Sequence, residues 1–132
     1  MNKDETQKMI AAAAARGAQA MAALLEQRGL LQQVGESVIE KTEKALRLYS
    51  TWKDMDDPDA RRMVAAIDKC LASASNDPYV DTIRLFYFEG LTNAATAKTV
   101  CCDYRTAQRN RRELVKQFAA RLYPDEYMRE ML

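Results

Sequence analysis

Between Thr92 and Leu114 the chain reads TNAATAKTVCCDYRTAQRNRREL, and two residues in it fix where helices begin. Thr92 and Asp103 each carry a side-chain oxygen suited to the unpaired N–H groups of a first helical turn. They predict a short helix from Asn93 to Val100, a turn at Cys101–Cys102, and a second helix from Tyr104 to about Leu122, closed by Pro124. Ala94, Ala95 and Ala97 are small, and a small residue near Ala97 is what two helices need to cross closely at about a right angle. A helix, a tight turn and a second helix in this order form the unit that lays its second helix in the DNA major groove.

On a helical wheel of residues 104–122, Ala107, Asn110, Leu114, Phe118 and Leu122 fall on one side. Arg105, Gln108, Arg109, Arg112 and Lys116 fall on the other. An apolar seam inward leaves long hydrogen-bond donors outward. Arg matches guanine O6 and N7 as a bidentate fork, and Gln does the same for adenine. Because the first turns of a recognition helix reach base edges, Tyr104, Arg105, Thr106, Gln108 and Arg109 are the base-reading candidates. Lys98, Thr99, Arg112 and Lys116 are expected to hold phosphates and set register. Arg111 and Arg121 lie nearer the apolar side, where packing or an ion pair is expected. A basic helix face is by default only a solvated face. Here two capped helices, a short turn and a hydrophobic leader agree, and they favour DNA. Cys101 stands in the turn where Gly or Asn is usual, which predicts backbone strain there.

The formal net charge of the 132 residues is only +1, which by itself argues weakly against nucleic acid. The average hides a split. From Lys98 to Arg121 there are seven basic and two acidic residues, while the rest of the chain is net acidic. Basic charge gathered on one element is the footprint that phosphate binding needs.

The chain has no His, which removes imidazole bases, His metal ligands and triads. Cys70, Cys101 and Cys102 lack CxxC spacing, so zinc is not expected, and the sequence points to no cofactor. No carboxylate cluster suggests a metal nuclease, so no enzyme is expected. The odd cysteine count and the lack of a signal sequence predict a reducing cytoplasm. The apolar run Met9–Leu25 is broken by Arg16, Gly17 and Gln19 and is no membrane span.

With only four Gly and three Pro, the expected fold is all-α, a helical N-terminal part followed by the C-terminal helix-turn-helix. Residues 1–35 form an Ala-rich helical arm, read either as an oligomerisation or partner surface or as a helix laid on its own domain. Residues 36–77 are the helical scaffold. Ser37 and Glu40 open its first helix as a capping box, with Val38, Thr42, Ala45, Leu46, Tyr49 and Trp52 inward. Asp57 and Pro58 open the next, lined by Ala60, Met63, Val64, Ile67, Leu71 and Ala74. Residues 78–124 are the DNA-binding module, whose leader helix runs from Tyr79 to Glu89. Val80, Ile83, Phe86 and Tyr87 face inward there, and Gly90 is its stop. Residues 125–132 are an amphipathic tail able to dock or dimerise.

The stretch YFEGLTNAATAKTVCCDYRTAQRNRRELVKQFAARLYP resembles the C-terminal module of phage ArpU/RinA-type transcriptional regulators. These are in turn similar to region 4 of sigma-70 factors, the part that reads the −35 promoter element. The matching pieces are YFEG, the T…A…V core of the 93–100 helix, D-Y-R-T, and R-x-R-R-x-L-V. KTEKALRLYSTWKDM resembles the family's upstream helix, so the likeness covers roughly residues 38–124. Thr96, where a large aliphatic is usual, and Cys101 depart from the pattern. The resemblance implies an all-helical cytoplasmic regulator of late phage genes that binds double-stranded promoter DNA. RNA polymerase is a further expected partner, and a homodimer is the favoured assembly because one helix reads few base pairs. Kept beside it are a small-terminase-like packaging component, a sigma-like polymerase-binding factor, a recombinase arm and a purely protein-binding bundle.

Overall fold

The computed structural model describes residues 37–131 together with Gly17, Ala20, Met21, Ala23 and Leu24. The protein is all-α, with no strand among the described residues. Helix α1 spans Val38–Lys53 and α2 spans Pro58–Ser73. After a short α3 (Asp81–Ile83) the chain widens into a π-helix, Arg84–Phe88. Then come α4 (Asn93–Thr99), α5 (Tyr104–Leu122) and α6 (Pro124–Met131).

The helix starts follow from local chemistry. The Ser37 hydroxyl accepts from the Glu40 N–H at 3.1 Å. Asp57 Oδ1 accepts from the N–H groups of Asp59 and Ala60, with Pro58 behind it lacking a donor to orphan. Helix α1 is the hub: it packs on α2, the π-helix, α5 and α6. Its buried face is Val38, Thr42, Ala45, Leu46, Leu48 and Trp52. Opposite them lie Ile67 and Leu71 of α2 and Leu114, Val115 and Phe118 of α5. Tyr49 is only half-buried. Its hydroxyl donates to Asp68 Oδ1 at 2.6 Å and its ring stacks on Phe88. Burial and the neighbouring carboxylate push its phenol up to about 12.

Ala20 and Leu24 are fully buried in this core, and the Trp52 indole N–H donates to the Ala20 carbonyl at 3.3 Å. At these positions the N-terminal helix lies against its own domain. Apart from Gly17, Met21 and Ala23, the rest of the 1–35 arm, with its Gly29 end, falls outside the described residues. At the other end α6 folds back on the start of α1. Glu130 Oε2 accepts from the Val38 N–H at 2.6 Å, and Lys41 pairs with Glu126 at 2.8 Å. The α1 N-terminus, where backbone donors lack helical partners, is thus closed from 92 residues away.

The leader segment departs from expectation. A regular helix over Tyr79–Glu89 does not form: residues 78–80 are a turn, only Asp81–Ile83 is α-helical, and Arg84–Phe88 is π. The Glu89 N–H reaches the Arg84 carbonyl, five residues back, at 2.9 Å. The widened turn gives three consecutive aromatics three separate seats. Phe86 goes under Arg111, Tyr87 toward Glu43 and Phe88 onto Tyr49. Gly90, at φ +72°, is the stop the sequence predicts, a left-handed conformation glycine adopts without cost.

Candidate nucleic-acid interface

Helix α4 begins at Thr92, whose hydroxyl accepts from the Ala95 N–H at 3.1 Å. It ends in a Schellman turn. The Cys102 N–H bonds the Ala97 carbonyl and the Cys101 N–H bonds the Lys98 carbonyl, with Cys101 left-handed at φ +58°. Cys101 is the one non-glycine residue with positive φ among those described, so the expected strain is present. Left-handed backbone costs a side-chain-bearing residue about 1–2 kcal/mol. Cys101→Gly is therefore expected to raise stability by up to about 1 kcal/mol once glycine's unfolded-state entropy is counted. Urea denaturation checks this, and a destabilised variant would mean that the thiol has packing of its own.

Asp103 then caps α5. Its Oδ1 accepts from the Arg105 and Thr106 N–H groups, and its Oδ2 accepts from the Thr106 hydroxyl at 2.6 Å. The Thr106 hydroxyl and amide, chief among these donors, hold the Asp103 carboxyl below its ordinary value. Thr106, a base-reading candidate, thus has its hydroxyl proton committed to the cap.

The inward face of α5 is Ala107, Arg111, Leu114, Val115, Phe118 and Ala119. Asn110, expected on this seam, is instead half-buried, and its amide nitrogen donates to the Thr106 carbonyl at 2.8 Å. Arg111 takes the inward position. The seam runs 107, 111, 114, 118 in steps of four, three and four, one residue off the expected register at its second member. Leu122 is half-buried.

Arg105, Arg109 and Arg112 are exposed, and half-exposed Lys116 continues the same line at steps of four, three and four. At 1.5 Å per residue the stripe is about 16 Å long, on a helix of a width the major groove admits. Tyr104 is exposed beside its start, and Gln108 is half-buried along its edge. Lys98 and Thr99 are exposed on α4, the Thr99 hydroxyl donating back to Ala95. Among the described residues, Lys98, Arg105, Arg109 and Arg112 make no ion pair. Lys116 pairs with Glu113 at 3.2 Å. A surface pair of this kind contributes little, so the lysine remains available to a phosphate.

Asn93 went unnoticed at the sequence level: its side-chain oxygen accepts from the Arg111 guanidinium. The one signal was the seam itself, since an arginine four after Ala107 and three before Leu114 fits the inward spacing as well as Asn110 does. The described residues hold no cluster of three metal-ligating side chains and no helix long and apolar enough to cross a membrane. Compared with known proteins, the chain matches no family model, no curated protein and no solved structure.

Proposed function

We propose that this protein is a sequence-specific double-stranded DNA-binding regulator of transcription that places α5 in the major groove. The observation that carries the reading is the stripe Arg105–Arg109–Arg112–Lys116. It stands outward on a helix anchored by Leu114 and Phe118, and none of its arginines is ion-paired among the described residues. Guanidinium groups so placed match guanine edges and phosphates. Tyr104, Arg105, Gln108 and Arg109 face base edges, with Thr106 beside them. Lys98, Thr99, Arg112 and Lys116 grip the backbone. The likeness of residues 38–124 to ArpU/RinA-type regulators directs the proposal to promoter DNA and to late phage genes. A homodimer, or RNA polymerase alongside, supplies the contacts that one helix lacks.

The test is selection of bound sites from random duplexes, followed by a salt titration on the site recovered. With Lys98, Arg112 and Lys116 neutralising about three phosphates, the slope of log affinity against log salt is about −3. Lys116→Ala is expected to weaken binding to all duplexes alike and to reduce that slope by about one unit. Failure to enrich any duplex, or binding that salt does not weaken, would remove the reading.

A further inference from the structure

Building on the DNA-binding reading, we infer that Arg111 is a positioning residue, whose buried guanidinium seats α4 against the recognition helix α5. It is 5 % exposed. Its side chain donates to Asn93 at the first turn of α4, and its guanidinium lies 3.6 Å from the centre of the Phe86 ring and 5.6 Å from that of Tyr87. The Tyr87 hydroxyl donates in turn to Glu43 of α1 at 2.7 Å. One side chain therefore touches the π-helix and α4 from α5, with a tyrosine bridging to α1.

Arg111 has no carboxylate within ion-pair distance among the described residues, and its Nε finds no hydrogen-bond partner there. A cation buried on these terms is a poor source of stability, because an apolar residue of like size is often as good or better. What it supplies is geometry. The planar guanidinium fits between an aromatic face and one amide oxygen in a single orientation. That orientation fixes where Lys98 and Thr99 of α4 stand relative to Arg105 and Arg109 of α5. Base reading depends on both sets meeting the duplex in one register.

The experiment uses the full chain carrying Arg111→Met, a flexible apolar side chain of similar length. The expected result has three parts. The melting temperature stays the same or rises. Amide hydrogen exchange in Thr96–Thr99 speeds up by about tenfold, without DNA present. Affinity for the selected site over random duplex falls by on the order of tenfold, the worth of one good base contact, with the salt slope unchanged. Unchanged exchange and unchanged discrimination would overturn the inference, and so would a slope lower by one unit, the mark of a phosphate contact. If wild type binds no DNA, the exchange readout still decides the matter: faster α4 exchange sustains the positioning role while the DNA reading falls. Should Arg111→Met fail to fold, Asn93 supplies the second pair. Asn93→Asp keeps the acceptor and is expected to preserve α4 protection, whereas Asn93→Leu removes it. Equal behaviour of the two would also overturn the inference.

Discussion

Phe118→Ala is expected to destabilise the protein by about 3–5 kcal/mol, the usual effect of deleting a buried aromatic ring. Phe118 is 1 % exposed and belongs to the core cluster that also holds Leu46, Trp52 and Ile67. The loss combines the transfer free energy of the ring with the cavity left behind, since neighbours anchored on α1 and α2 relax only in part. Against a total stability of about 5–15 kcal/mol for a domain, this is a large fraction. Binding to DNA should decline with it, because α5 loses its chief anchor. Urea denaturation of the full chain measures the effect. A loss under about 1 kcal/mol would show that α5 is not held where the structure has it.

Arg109→Ala should do the reverse, sparing the fold and damaging recognition. Arg109 is exposed on the second turn of α5, and an exposed substitution of this kind ordinarily changes stability by under about 0.5 kcal/mol. On the selected site the expected loss is about 1–3 kcal/mol, with discrimination relaxed at one base pair. The comparison that decides its role is random duplex. If affinity there falls equally, Arg109 contacts phosphate and the base-reading assignment moves to Arg105 and Gln108. If neither affinity changes, the exposed stripe is a solvated helix face.

Local chemistry was readable from the residues alone. Ser37, Asp57, Thr92 and Asp103 each bond backbone two or three positions ahead, so each announces its helix within a few letters. Cys101 likewise betrays its left-handed backbone by standing where a helix has ended and the next cap has not begun. The exposed row of α5 was legible because four basic residues keep helical spacing over three turns. The π-helix was not legible. Phe86, Tyr87 and Phe88 satisfy an α-helical pattern equally well, and only partners distant in sequence (Arg111, Glu43 and Tyr49) decide between the two windings. Arg111 was half-legible. Its place near the apolar side was plain, but a polar Asn110 next door took the seam on the wheel. Side-chain chemistry does not say which of two adjacent polar residues will be buried when the one that goes in is held by an aromatic ring and an amide from elsewhere. Nor could spacing reveal that the Trp52 indole bonds Ala20, since the two residues stand 32 positions apart.

The bond between the Val38 amide and the Glu130 carboxylate makes the start of α1 and the end of α6 mutually dependent. A chain that must bring together points so far apart forfeits loop-closure entropy before it gains the contact. Shortening the protein by its last helix would therefore strip α1 of its lid as well as removing α6, so a truncation that looks peripheral in the sequence acts on the hub of the fold.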